Sequence, residues 1–299
     1  MVGGVWFNMA VQAYIHVKTV AEALQYLSDP DKSSQIIAGG VGIADQLHNG
    51  FLNDDQLIDI SRIAELKLVE KIDVHGEPYL KIGSVLNLNS VANLDEVKDE
   101  FPVLAKALKE SSDPARKNAF TFGGRITTKI PQGMLFPALC ALNTLIVIKT
   151  IQSERMIPIL EWLKSEPMEI PFLITSVLIP YTLKPSWVMQ DVKRRNFPGE
   201  IIAGVLIAAN KEETGFAENL RIFGSVDNFG LVTFELVENY LNGKKITKEL
   251  LRQTEEVISS QLKNNWGLDE DAQYRRRVLT ALITRSLEHV FLAVEKEQE

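Results

Sequence analysis

Residues 35–43 read Gln35-Ile36-Ile37-Ala38-Gly39-Gly40-Val41-Gly42-Ile43, and this stretch decides the fold. Gln35 to Ala38 has the apolar, β-branched character of a short strand, which three glycines within four positions then end. Ala44 to His48 has the pattern of a helical turn. Glycines at a strand end let backbone approach a ligand closely and leave amide N–H groups facing outward, a shape that suits phosphate oxygens. A tight turn made for conformational reasons alone has the same letters. Outward from this turn, Ala13 to Val17 and Gln56 to Ile60 read as strands and Val20 to Leu27 as an amphipathic helix. Strands alternating with helices argue for an α/β unit.

Further along, Leu68 to Val85 predicts a β-hairpin. His75-Gly76 lies at its turn, and Ile72, Val74, Leu80 and Ile82 alternate. Helices are expected near Leu86 to Val91 and Pro102 to Lys109. Asp113 to Gly133 is rich in Gly, Pro, Thr and basic residues and reads as an ordered loop. Within it, Thr121-Phe122-Gly123-Gly124-Arg125-Ile126-Thr127-Thr128 continues toward Pro131-Gln132-Gly133, again a glycine pair beside hydroxyls and a cation. Counted along the sequence, 84 positions separate Gly40 from Gly124, and two such turns make a two-sided clamp on one diphosphate.

From Pro171 the rhythm changes. Phe172 to Ile179, Trp187 to Arg194, Ile201 to Ala209 and Leu220 to Val226 read as strands. Leu231 to Leu241, Thr247 to Gln261 and Asp271 to Val294 read as helices. Strands first and helices after predict a separate α+β part. The boundary falls between Leu163 and Pro171, which gives domains 1–168 (lobes about 1–60 and 61–168) and 169–299.

The net charge of −7 gives no electrostatic reason to expect nucleic acid or an anionic membrane as partner. The longest apolar run, Leu135 to Ile148, is broken by Asn143 and Thr144 and is too short to span a bilayer. The N-terminus lacks the pattern of a secretory signal. A single cysteine, Cys140, excludes an internal disulfide and a Cys-rich iron–sulfur or zinc site, and its apolar surroundings read as core. These features fit a soluble cytoplasmic protein.

The residues also carry a family resemblance, from about residue 12 to residue 292. Ala38-Gly39-Gly40 ahead of Leu57-Ile58-Asp59-Ile60-Ser61 resembles the first flavin-diphosphate loop of the FAD-carrying medium subunits of molybdenum hydroxylases, the xanthine dehydrogenase and carbon monoxide dehydrogenase flavoprotein family. Ile82-Gly83-Ser84 fits the same pattern. Phe101-Pro102-Val103-Leu104 and Arg116 to Gly124 resemble its second flavin loop. Arg194-Arg195, the Ala203 to Ala209 strand, Arg221 to Val226 and Tyr274 to Val278 follow in the family's order.

The resemblance implies an α+β protein. Its two-lobed FAD-binding domain is of the vanillyl-alcohol-oxidase (PCMH) type, followed by a C-terminal domain of the CO dehydrogenase flavoprotein type. It implies an electron-transfer oxidoreductase subunit. A small iron–sulfur subunit would supply electrons, a large molybdenum subunit would hydroxylate the substrate, and NAD, a quinone, ferredoxin or oxygen would accept. Molybdenum cofactor and 2Fe-2S clusters would sit on those partners only. The flavin-binding residues implied are Ala38, Gly39, Gly40, Val41, Gly42, Ile43, Thr121, Gly123, Gly124, Arg125, Thr128 and Gly133, with no catalytic acid or base and no metal ligand.

Departures cluster at the same places. Val41 stands where the family has a polar residue, so backbone amides must do the binding. Arg125 replaces the family's Asn and either pairs with a phosphate or crowds the site. Met134 stands where the family has Asp, and Gln190 where it has a basic residue. A flavin-free scaffold subunit of the same kind of complex is the alternative these departures leave open. More distant is a module for another nucleotide.

Overall fold

The computed structural model describes residues 11–129, 133–182, 185–193, 201–211, 215–227, 230–265 and 270–292. The chain divides into two compact units whose segments interleave. One comprises residues 1–90, 115–129 and 145–179; the other comprises residues 91–114, 130–144 and 180–299.

The first unit opens with a three-stranded parallel sheet. β1 (Ala13–His16) and β2 (Ser34–Ile37) flank β3 (Gln56–Asp59), with Ile15 and Ile36 both in register with Ile58. Between β1 and β2 runs α1 (Val20–Leu27), capped by the Thr19 hydroxyl, which accepts from the Glu22 N–H at 3.1 Å. Its apolar face, Val20, Ala23 and Leu24, buries against Ile58, Ile60, Ile63 and Leu66. α2 (Val41–His48) connects β2 to β3 and contributes no buried residue. This helix begins at Val41 rather than Ala44, because left-handed Gly40 (φ 78°) serves as its N-cap.

β4 (Val69–Val74) and β5 (Glu77–Gly83) form the expected hairpin, with His75 and Gly76 both at positive φ in its turn. Next come α3 (Leu88–Asn93) and, in the second unit, α4 (Asp95–Glu100) and α5 (Pro102–Glu110). The segment expected to be loop from Asp113 to Gly133 holds two helices, α6 (Pro114–Ala119) and α7 (Phe122–Thr127). Each has six residues, too short for a helical period to show in sequence, and each is fixed by its start. Pro114 opens α6, and Thr121 caps α7 by accepting from the Gly124 N–H at 3.2 Å. Ile130, Pro131 and Gln132 lie outside the described residues.

α8 (Leu135–Ala141) is wholly buried and belongs to the second unit. β6 (Leu145–Lys149), β7 (Glu154–Pro158), α9 (Ile159–Lys164) and β8 (Leu173–Pro180) complete the five-stranded sheet β4-β5-β8-β6-β7 and its helix.

The second unit carries an antiparallel sheet, β12-β11-β10-β9, formed by β9 (Ser186–Lys193), β10 (Ile201–Lys211), β11 (Ala217–Val226) and β12 (Gly230–Thr233). Leu231 to Thr233 was expected to begin a helix. It is strand instead, because Leu231, Val232 and Thr233 pair with Ser225, Gly224 and Phe223. The helix is α10 (Glu235–Leu241). α11 (Lys248–Asn265) and α12 (Glu270–Phe291) follow, and alternate β10 residues Ala203, Val205, Ile207 and Ala209 share one core with them. Arg194 and Val294, the expected ends of the second strand and last helix, lie outside the described residues.

Candidate functional site

The first glycine turn is open. α2 has no side-chain N-cap bond, and its first backbone bond runs from the Ala44 N–H to the Gly40 carbonyl at 2.8 Å. The N–H groups of Val41, Gly42 and Ile43 therefore have no partner within the helix and point out of its positive end. Gly39 and Gly42 are exposed; Ala38, Gly40, Val41 and Ile43 are half-buried. A Cβ on Gly42 would meet no atom within 4 Å.

Asp59 ends β3 in register with Ile37, just ahead of this turn. Its buried carboxylate accepts from the Ser61 N–H (2.8 Å) and the Tyr14 hydroxyl (3.1 Å) and lies 3.0 Å from His16 Nδ1. Burial works to raise its pKa. The bonds from Ser61 and Tyr14 and the charge of His16 outweigh that, so the group ends below the usual carboxylate value.

The second turn is closed. Gly123 donates to the Ser84 carbonyl at 2.7 Å, Phe122 to Leu86 at 2.8 Å, and Leu88 to the Phe120 carbonyl at 3.0 Å. A Cβ on Gly123 would stand 2.6 Å from Ser84 Cβ, so glycine is required by packing. The hydroxyls turn inward on their own helix. Thr127 donates to the Gly123 carbonyl (2.9 Å) and Thr128 to the Arg125 carbonyl (3.0 Å). Thr121 accepts at the cap, which leaves its hydroxyl hydrogen available to a ligand oxygen. Beyond the helix, Lys129 donates to the Ser165 carbonyl at 2.7 Å, and Trp162 Nε1 to the Ile126 carbonyl at 3.1 Å.

Arg125 is only 4% exposed, and its guanidinium lies 5.1 Å from the Phe120 ring centroid. Burial, with the charge of Arg116 adding to it, pushes its pKa down to about 10, so it stays a cation at neutral pH. Met134 and Gly133 belong to the second unit. Met134 is buried, with Sδ 2.5 Å from where a Gly204 Cβ would stand, so the residue that replaces the family's Asp is filling core space. Gly133 has φ 69°, which explains a glycine there without a ligand. Gln190 is half-buried on β9, in register with Val205, and Lys193 pairs with Glu110 at 3.0 Å. Arg194 and Arg195 lie outside the described residues.

The structure brings the two turns together. A Cβ on Gly39 would run into the Ala119 carbonyl oxygen and stand 3.3 Å from Thr121 Cγ2. The first turn thus rests against the backbone that leads into the second, inside one unit. Among the described residues no group of three or more His, Cys, Asp or Glu side chains could hold a metal ion, and Cys140 is a buried thiol outside any disulfide. No helix there is long and apolar enough to cross a membrane.

Residues 7–182 match the family described as the FAD binding domain in molybdopterin dehydrogenase, more than half of the chain. The chain belongs to the FAD-binding medium-subunit family of the molybdenum hydroxylases. The glyceraldehyde dehydrogenase medium chain of Sulfolobus acidocaldarius is 25% identical over 93% of this chain and 98% of its own length. The 6-hydroxypseudooxynicotine dehydrogenase complex subunit alpha of Paenarthrobacter nicotinovorans is 24% identical, covering 92% of each. Carbon monoxide dehydrogenase from Hydrogenophaga pseudoflava shares the fold, with a TM-score of 0.80 at 23% identity over 94% of this chain and 97% of that one. The α+β flavoprotein fold is therefore as expected, and the flavin-holding reading is favoured over the flavin-free scaffold.

This family member retains features that fit FAD. Two glycines, Gly39 and Gly123, occupy places a Cβ would fill. The first turn of α2 presents unpartnered amides. Ser84 Oγ is buried with no hydrogen-bond partner. Seven other buried side-chain atoms among the described residues, including those of Ser176 and Thr144, also have no hydrogen-bond partner, so this alone does not assign Ser84 to the flavin.

Proposed function

We propose that Ala38, Gly39, Gly40, Val41, Gly42 and Ile43 hold the diphosphate of FAD on backbone amides, and that Thr121, Gly123, Gly124, Arg125 and Thr128 form the opposing wall. The observation that carries this reading is the seating of Gly39 against Ala119 and Thr121, which joins the two glycine turns into one surface. An anion is favoured at the α2 N-terminus by its free N–H groups and its dipole. Arg125 acts as a buried positive charge rather than as an exposed clamp, through a field that burial weakens little. FAD, when bound, supplies the redox chemistry; this chain's residues bind and orient it.

The same proposal gives the chain an iron–sulfur subunit as electron source and a molybdenum subunit as the site of substrate hydroxylation. NAD, a quinone, ferredoxin or oxygen is the acceptor, and the complex works in the cytoplasm. The functional division stays at residues 1–168 for flavin and 169–299 for the C-terminal part. In support, the family match covers residues 7–182 and so takes in the whole flavin part, and relatives matched over nearly their whole length are named as subunits or medium chains of dehydrogenases.

The test is the visible spectrum of the purified chain after incubation with FAD and removal of free ligand. Oxidised-flavin bands, with FAD released on acid denaturation, are expected. A colourless protein that retains nothing would sink the reading.

A further inference from the structure

Arg116 and Arg125 stand one helical turn to either side of the junction Phe120-Thr121. The Phe120 N–H donates to the Arg116 carbonyl at 2.8 Å, and the Arg125 N–H donates to the Thr121 carbonyl at 2.9 Å. Their charges are brought near each other at that junction. The Arg125 guanidinium lies 5.1 Å from the Phe120 ring centroid, and the Arg116 charge is close enough to help push the Arg125 pKa down. The first glycine turn rests on the same stretch, since a Cβ on Gly39 would strike the Ala119 carbonyl and stand 3.3 Å from Thr121 Cγ2. Arg125 is 4% exposed, whereas Arg116 is exposed to solvent.

A cation in the last turn of α6 suits the negative end of that helix, and Lys117 already serves there. That does not account for a second guanidinium brought near a buried one, because like charges repel and burial strengthens the effect. In a chain of net charge −7 such a pair is a local arrangement, not a by-product of composition. An anion held at the junction would turn the repulsion into attraction.

We propose that the exposed Arg116 guanidinium pairs with the diphosphate of FAD, as the accessible member of a two-arginine pair whose buried member is Arg125. This rests on the flavin reading above. A guanidinium presents its donors as a fork that fits two phosphate oxygens at once. Arg116 thereby supplies a charged side-chain contact to a site where Val41 offers none and the α2 amides otherwise work alone.

The experiment is titration of the flavin-stripped full-length chain with FAD, followed by flavin fluorescence at low and at high salt, with the melting temperature of the apo protein recorded alongside. Arg116→Gln and Arg116→Lys are compared with wild type. At low salt Arg116→Gln should bind FAD roughly five- to fifty-fold more weakly, and Arg116→Lys should recover much of that loss as a point charge without the fork. The gap between Arg116→Gln and wild type should narrow at high salt, because an exposed ion pair is screened. The apo melting temperature should stay near that of wild type, as is usual for an exposed side chain. An Arg116→Gln variant that binds FAD as tightly as wild type overturns the inference and leaves the flavin reading standing. A loss of equal size at both salt concentrations, or one that follows a lower apo melting temperature, shows a packing role and also overturns it. A wild-type chain that binds no FAD sinks the flavin reading itself, and this inference with it.

Discussion

The two glycine turns carry nearly the same letters and do opposite things. Gly39, Gly40 and Gly42 lie at a strand end and open an exposed helix whose first amides face outward. Gly123 and Gly124 lie in a helix whose start is capped by Thr121, whose hydroxyls bond back to their own carbonyls, and whose cation is buried against Phe120. In the first turn most of the glycine freedom serves exposure. In the second it serves packing, since Gly123 makes room for Ser84. A glycine pair therefore marks a place where backbone must come close to something. Whether that is a ligand or the protein itself is set by what lies across from it.

Gly39 belongs to both categories, and the largest effect is expected there. A side chain at 39 collides with the Ala119 backbone, which cannot swing aside as a flexible side chain would. Gly39→Val should destabilise the first unit by about 1–3 kcal/mol, the usual range for overpacking, and should abolish FAD retention by parting the two turns. Thermal unfolding and the flavin spectrum check this. A variant that retains FAD at wild-type affinity would mean that the turns need not touch for the site to form.

The first turn was legible because strand, glycines and helix follow one another within a few residues, so local rules suffice. Its contact with Ala119 was not legible, since nothing in either segment names the other. The second turn misled in a different way. Six-residue helices leave no period to read, so Pro114–Ala119 and Phe122–Thr127 passed for loop. The inward turn of Arg125 depends on Phe120 lying under it, a tertiary fact. Leu231 to Thr233 failed for a related reason: three apolar or β-branched residues suit a helix start or an edge strand, and pairing with β11 decides. Met134 is the plainest case. Only the bare Gly204 across from it shows that a residue out of place in a ligand site is well placed in a core.

Acid should separate the two turns. β3, which pairs with the strand ahead of the first turn through Ile37 and Asp59, is tied by the Asp59 carboxylate to Ser61, Tyr14 and His16, whereas the second turn is tied by backbone bonds that do not titrate. The Asp59 pKa is depressed in the fold. Its stabilisation is therefore fully present above the unfolded value of 3.8 and is lost as pH falls through the lower folded value. Hydrogen exchange as pH drops below 3.8 should show the amides of Ile60 and Ala44, which are bonded to the Ile37 and Gly40 carbonyls, losing protection before those of Phe122 and Gly123. Asp59→Asn should cost about 1–2 kcal/mol at neutral pH and remove most of this acid dependence. Equal loss of protection at both turns would show that Asp59 does not hold the first one.

The smallest effect is expected at Gly42, and its sign makes it the sharpest comparison. Gly42 lies within the first turn of α2 at ordinary helical φ, and a Cβ there meets no atom within 4 Å. In the protein alone, Gly42→Ala should stabilise by roughly 0.4–1 kcal/mol, because alanine loses less backbone entropy on entering the helix. If the open space in front of the α2 amides belongs to a diphosphate, the same methyl group intrudes on it, and FAD affinity should fall while the apo melting temperature rises. A variant that gains stability and keeps full FAD affinity would move the diphosphate away from Gly42. The site would then rest on Gly39, Gly40 and the second turn, and the exposure of the first turn would have a cause other than the flavin.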